Sequence, residues 1–243
     1  MKVDAMGTCL PELGDNHYLL FFIKNRKHKK NEYQIKLNND EDRKISAQFI
    51  RSILPYYYEG DERIRIYRKE YGKPTIAGTD SLWFNISHSN GVGVLLLSKI
   101  GDVGVDIEFK KKDSQILKIA QRFFHRQEMA QLESLHCGDA CRQARQLWTL
   151  KESYIKAIGK GLAQPLNSFW FDLNGSQVNM YLGENKQPEN SWLFYMYEYQ
   201  RLFDLSLCVP KEGMVKIFHV NHEESSFSVE EIKSDAGSFQ RVK

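Results

Sequence analysis

The sequence predicts an α+β fold built in two halves, residues 1–109 and 110–243, and three observations carry that reading. Runs of alternating apolar and polar residues, the pattern of half-buried strands, fill residues 82–109 and return over residues 170–220. Between them, residues 114–158 carry apolar side chains at helical spacing. There is no regular strand–helix alternation and no GxGxxG loop, which removes the dinucleotide-binding parallel sheets.

The elements follow in order. Tyr18–Ile23 is a continuous apolar run bounded by polar residues, and it is expected as the first strand. From Asp42 to about Tyr58, the spacing of Ile45, Phe49, Ile50, Ile53 and Leu54 makes one buried helical stripe. Tyr71-Gly-Lys-Pro-Thr75 is a turn by its glycine and proline. Leu82–Ser87 and Gly93–Ser98 alternate as strands joined through His88–Gly91, and the Lys99–Asp102 turn then predicts a hairpin between the second of these and Val103–Phe109. Ser114 is placed to cap a helix carrying Ile116, Leu117, Ile119, Ala120 and Phe123. A second helix begins near Arg126, and a longer one covers roughly Cys141 to Ile158 and stops at Gly159-Lys-Gly161. Strands are expected again at Trp170–Leu173, Val178–Tyr181, Trp192–Tyr199, Leu205–Val209 and Val215–Val220, and the polar tail from Glu223 has room for one short helix.

The chain has 243 residues, 42% hydrophobic and 27% charged, with a formal net charge of +3. That length supports a proper core, and that charge is too small to imply nucleic acid by itself. The run Lys24-Asn-Arg-Lys-His-Lys-Lys30 is basic: a solvated loop or an anion-binding patch. Tyr18–Ile23 is too short for a signal core or a membrane span, so a cytoplasmic protein is expected. The four cysteines include no CxxC pair, and no disulfide framework is expected. His219 and His222 lack further ligands at metal spacing.

Chemistry concentrates in three stretches. In Val103-Gly-Val-Asp-Ile-Glu-Phe109, strand alternation sends Val105, Ile107 and Phe109 to one face and both Asp106 and Glu108 to the other. Two carboxylates held side by side repel unless a cation lies between them. In Leu147–Ile158, the helical repeat makes Leu147, Leu150, Tyr154 and Ile158 one apolar stripe, with Glu152 and Lys156 one turn apart on roughly the opposite side. Such a pair alone is an ordinary surface pair, but Trp148 and Ile155 flank it with bulk that wants cover. Asp106, Glu108 and Glu152 together offer three oxygen ligands for one Mg²⁺, and Lys156 a charge to set against a phosphate. The third stretch, Phe84-Asn-Ile-Ser-His-Ser89, places Ser87, His88 and Ser89 at an expected strand end, where hydroxyl, imidazole and backbone N–H groups can hold phosphate oxygens.

Taken in order, YGKP at Tyr71–Pro74, FNISHS at Phe84–Ser89, GVDIE at Gly104–Glu108, RFF at Arg122–Phe124 and WTLKESYIKAIGKGL at Trp148–Leu162 resemble the 4′-phosphopantetheinyl transferases, in their larger, surfactin-type branch. The resemblance spans about residues 40–170. It implies a monomer of two similar α+β halves related by a pseudo-twofold axis, with coenzyme A in the cleft between them. It implies transfer of the phosphopantetheine arm to a serine of an apo acyl or peptidyl carrier protein, releasing adenosine 3′,5′-bisphosphate. By position, Asp106, Glu108 and Glu152 resemble the Mg²⁺ ligands, Glu152 also the base for the carrier serine, and Lys156 the stabiliser of the departing phosphate. Ser87 and His88 resemble phosphate contacts, His88 standing with Glu152 and Lys156 in the expected catalytic set, and the Gly72-Lys73-Pro74 turn resembles the adenine and phosphate wall. Arg43, Arg51 and Lys73 are the candidates for the 3′-phosphate, with Lys24–Lys30 second, and the segment from Lys110 to Arg126 is the candidate docking surface for an acidic carrier. The rival readings are a metal-dependent nuclease and a non-catalytic module that binds coenzyme A or the carrier.

Overall fold

The computed structural model describes residues 2–3, 9–24, 39–59, 64–110, 115–222, 227–232 and 239–242. Ser114 and most of the Lys24–Lys30 run lie outside these residues, as does the side chain of Arg43. In chain order the strands are β1 (Lys2–Val3), β2 (Cys9–Leu10), β3 (His17–Lys24), β4 (Ile66–Arg68), β5 (Pro74–Ile76), β6 (Trp83–Ser89), β7 (Val92–Ser98), β8 (Gly104–Phe109), β9 (Phe169–Asp172), β10 (Asn179–Leu182), β11 (Leu193–Tyr199), β12 (Phe203–Val209), β13 (Met214–His222), β14 (Phe227–Glu231) and β15 (Phe239–Arg241). The helices are α1 (Asn39–Ser52), α2 (Gln115–Phe123), α3 (Arg126–Glu133) and α4 (Cys137–Ile158). The fold is α+β, as the sequence predicts.

Two sheets form the body. One has five strands in the order β14-β13-β3-β7-β6, with β13 parallel to β3; the other has four antiparallel strands in the order β15-β11-β12-β8. Residue alternation sorts the chain into layers. Leu19, Phe21 and Ile23 of β3 face a core shared with Phe49 of α1 and with Ile53 just after it. Tyr18, Leu20 and Phe22, the other pleat of β3, meet Val105, Ile107, Leu205 and Leu207 between the sheets. Phe194, Met196 and Cys208, the outer pleat of the four-stranded sheet, pack on Leu147 and Leu150 of α4. The order through the molecule is α1, five-stranded sheet, four-stranded sheet, α4.

Several expectations change. The β7–β8 hairpin does not form, because β7 is already paired on both edges by β3 and β6; β8 crosses over and pairs with β12. The sheets therefore do not divide at residue 109: β8 joins the later strands, and β13 and β14 join the earlier ones. Strand β6 runs two residues beyond its expected end, and the turn tightens to Asn90-Gly91, both left-handed at φ 47° and 78°. The described parts of the tail are strands rather than a helix. Helix α1 ends at Ser52 and passes into a 3₁₀ turn at Leu54–Tyr56, since Pro55 has no N–H with which to continue the α-helical bonding. No helix among the described residues is long and apolar enough to cross a membrane.

Candidate active site

Helix α4 lies across the outer face of β8 and β12. Its stripe Arg145, Trp148, Thr149, Glu152 and Lys156 faces the sheet, and Arg145, Trp148, Thr149 and Lys156 each bond to a polar group there or nearby. Arg145 Nε donates to Asp204 Oδ2 at 2.9 Å, Trp148 Nε1 donates to Glu108 Oε1 at 3.2 Å, and Thr149 Oγ1 and Ser206 Oγ share a bond of 2.7 Å. Lys156 Nζ donates to Asp106 Oδ1 at 2.6 Å and to Ser87 Oγ at 2.9 Å. Glu152 and Lys156 are thus half-buried against the sheet rather than on an open solvent face, while Leu147, Leu150 and Tyr154 are buried.

Strand β6 supports the acids from the other side. Asn85, Ser87 and Ser89 share one pleat and accept the N–H groups of Val105, Ile107 and Phe109. The Ser87 and Ser89 hydroxyls pass their own protons to Asp106 Oδ1 at 2.8 Å and Glu108 Oε2 at 3.2 Å. This side-chain ladder joins the edges of the two sheets and holds both carboxylates in place. Asn85 is a site residue missed in the sequence; the polar alternation Asn85, Ser87, Ser89 against Phe84, Ile86 was the signal that marks it. His88 stands on the opposite pleat, exposed, on the side of β6 against which α1 packs. Strand β6 therefore separates His88 from the acids. Arg51 is exposed on α1.

The electrostatics are those of crowded acid. Burial first, and then the charge of Asp106, push Glu108 up to about 7; the bonds from Trp148 and Ser89 and the charge of Lys156 oppose them. Burial and Asp106 push Glu152 up to about 7 as well, against the pull of Lys156. Asp106 is 4% exposed, and its Oδ2 is buried with no hydrogen-bond partner. Among the described residues no three His, Cys, Asp or Glu side chains form a ready-made metal cage. The donor set nevertheless fits a hard divalent cation: Asp106 acts on both Glu108 and Glu152, one of its buried oxygens has no hydrogen-bond partner, and the Lys156 ammonium lies beside it.

Two cavities flank these acids. One, of about 190 Å³, is lined by the Tyr71–Pro74 turn, Asn85, Lys156, Gly159 and Gly161. The other, of about 200 Å³, is lined by Glu108, Phe109, Ile116, Ile119, Arg145 and Trp148, between α2 and α4. The Gly72-Lys73-Pro74 turn thus reaches the first cavity, but the Lys73 ammonium turns inward onto Asp102 and the end of α4 and has no free proton for a phosphate.

Comparison with known proteins places the chain in a family. Residues 102–208 match the model of the 4′-phosphopantetheinyl transferase superfamily. The 4′-phosphopantetheinyl transferase gsp of Aneurinibacillus migulanus is 35% identical over 191 residues, 76% of this chain and 78% of that protein. The 4′-phosphopantetheinyl transferase ffp of Bacillus subtilis is 36% identical over 164 residues, 67% and 70% of the two chains. Sfp of Bacillus subtilis strain 168, also named a 4′-phosphopantetheinyl transferase, is 38% identical over 141 residues, 57% and 62%. The chain belongs to the 4′-phosphopantetheinyl transferases, in the surfactin-type branch of that superfamily, and is an enzyme of that activity.

Proposed function

We propose that this enzyme carries out Mg²⁺-dependent transfer of the phosphopantetheine arm of coenzyme A to a carrier-protein serine at the junction of β8 and α4, releasing adenosine 3′,5′-bisphosphate. The observation that carries this reading is the convergence of Asp106, Glu108, Glu152 and Lys156, marked by the 2.6 Å contact between Lys156 Nζ and Asp106 Oδ1 and by the unpartnered Oδ2 of the same carboxylate.

Asp106, Glu108 and Glu152 are the residues that would hold Mg²⁺, and the ion when bound neutralises charge on the pyrophosphate. Glu152, whose pKa burial and the Asp106 charge push up to about 7, takes the proton of the carrier serine in its ionised form. The serine oxygen then bonds to the phosphorus bearing the pantetheine arm, and the bond from that phosphorus to the bridging oxygen breaks. Lys156 meets the charge left on the departing bisphosphate. The 190 Å³ cavity at the Tyr71–Pro74 turn takes the nucleotide end, with Asn85 and Lys156 in its wall. His88, on the pleat that α1 covers, and the α1 arginines Arg43 and Arg51 are assigned to the 3′-phosphate. The exposed face of α2, with Lys118, Arg122 and Phe123, is assigned to the acidic carrier.

The test is incubation of an apo carrier protein with the enzyme, coenzyme A and Mg²⁺, read by mass spectrometry. One phosphopantetheine is gained by the carrier and lost with chelator. A gain that persists after complete removal of divalent ions removes the metal from the reading. Calorimetric Mg²⁺ binding that survives Asp106→Asn unchanged removes Asp106 as its ligand.

A further inference from the structure

Lys73 is buried, its side chain 4% exposed, and its ammonium has three protons and three acceptors. They are Asp102 Oδ1 at 2.5 Å, the carbonyl oxygen of Ala157 at 2.6 Å and the carbonyl oxygen of Val103 at 3.3 Å. Asp102 and Val103 lead directly into β8. Ala157 belongs to the last turn of α4, where carbonyls lack partners within the helix and the helix dipole presents its negative end. The turn that delivers Lys73 is itself built: Gly72 adopts φ 88°, its N–H donates to the Lys69 carbonyl at 2.8 Å, and the Lys69 N–H donates to the Lys73 carbonyl at 2.9 Å. The lysine stem runs under the helix end, so that a Cβ on Gly159 would come to 3.2 Å from Lys73 Cδ.

One ammonium therefore ties together the two elements that carry the acids. Asp106 follows Asp102 by one short stretch of strand, and Lys156 immediately precedes Ala157. We propose that Lys73 is a positioning residue whose ammonium locks the C-terminus of α4 to the start of β8 and so sets Glu152 and Lys156 against Asp106 and Glu108. The proposal rests on the reading that these four side chains perform the transfer. It replaces the expectation that the Lys73 charge meets the 3′-phosphate of coenzyme A.

The experiment compares Lys73→Met, which keeps the apolar stem and removes the donors, with Lys69→Met, which contacts the same Asp102 from the exposed side at 3.3 Å. Turnover is measured with coenzyme A and with its analogue lacking the 3′-phosphate. Lys73→Met lowers kcat about 10–100-fold, the cost of a misplacement near 1 Å, while KM for either substrate stays within about threefold. Lys69→Met stays near wild type. A rise in KM confined to coenzyme A, with kcat unchanged, makes Lys73 a phosphate ligand and overturns the proposal, as does normal turnover. Hydrogen exchange gives a readout without catalysis: amides of residues 155–161 exchange faster in Lys73→Met and those of α2 do not. Unchanged exchange at the α4 end also overturns the clamp. If the wild-type enzyme modifies no carrier, the exchange result still decides the clamp, and the functional reading alone has failed. Should Lys73→Met not fold, Asp102→Asn weakens the same clamp and is expected to lower kcat without raising KM; a normal kcat in that variant counts against the proposal.

Discussion

A Cβ on Gly104 would lie 1.9 Å from the carbonyl oxygen of Ser153 and 2.6 Å from the amide nitrogen of Ala157, so β8 and α4 touch backbone to backbone at this point. Two residues further along the strand, Asp106 lies within 2.6 Å of Lys156 on the helix. The absence of a side chain at Gly104 is what lets the strand of Asp106 and the helix of Lys156 meet.

Gly104→Ala is accordingly expected to push strand and helix apart. The methyl meets backbone rather than a flexible side chain, so the loss of stability is at least the roughly 1–3 kcal/mol typical of overpacking. Transfer falls with it. Urea unfolding and the carrier mass assay measure the two effects, and an alanine variant as stable and active as the wild type would show that the close crossing is not needed.

Glu152→Gln separates chemistry from folding. Burial and the Asp106 charge already hold this carboxyl up at about 7, so a neutral amide costs the fold little. The thermal midpoint is expected to stay level or rise, while transfer drops by about 10²–10⁴-fold, the usual share of a general base. Near-normal turnover would remove Glu152 as the base.

The ion pair Glu128–Lys151 is fully buried at 2.8 Å. Glu128 Oε1 also accepts the Phe171 N–H, Glu128 Oε2 accepts the His125 N–H, and Lys151 donates to the Leu166 and Phe169 carbonyls. Burial disfavours the charged form of each partner, and the other partner opposes that shift. Glu128→Gln strands the Lys151 charge and is expected to cost about 3–5 kcal/mol. Removing both charges with Glu128→Gln and Lys151→Met costs less than the sum of the single changes. A double-mutant cycle by chemical denaturation checks this, and strict additivity would mean the two charges are not coupled.

His219 provides a pH dependence. Its Nε2 is bonded to the Tyr199 hydroxyl at 3.1 Å, and Phe22 and Tyr199 rings flank it. Burial, and next the Lys24 charge, lower its pKa, while Glu230, opposite it on β14, opposes them. The folded state therefore holds the neutral ring, and the unfolded chain takes up a proton first, near the ordinary value of about 6.5. The stability contributed by the neutral ring is present above that pH and is lost as pH falls from there through the lower folded value. His219→Gln is expected to flatten this acid limb in denaturation midpoints taken between pH 5 and about 8. An acid limb of unchanged slope would place the proton uptake elsewhere.

Much of the site was legible in the chain because it depends on local periodicity. Strand alternation alone puts Asp106 and Glu108 on one face, and the helical repeat alone puts Glu152 and Lys156 one turn apart. Gly159, left-handed at φ 71°, ends α4 where its residue type predicts. Less legible were partners distant in sequence. The β7–β8 hairpin was the economical local reading, but β3, some 75 residues earlier, had already taken the second edge of β7. Lys73 reads as a free cation beside a turn until the end of α4 arrives over it.

The sequence by itself determined which residues share a face, where helices stop and which family the motifs belong to, because these follow from repeat, residue type and spacing along one stretch of chain. Only the tertiary structure decided that β8 leaves its neighbour for β12, that Gly104 brings β8 against α4, that Ser87 and Ser89 hold the two acids while His88 turns away, and that Lys73 is spent on the scaffold. Those outcomes depend on which edges and acceptors remain open after every other element has packed, and no local pattern encodes that competition.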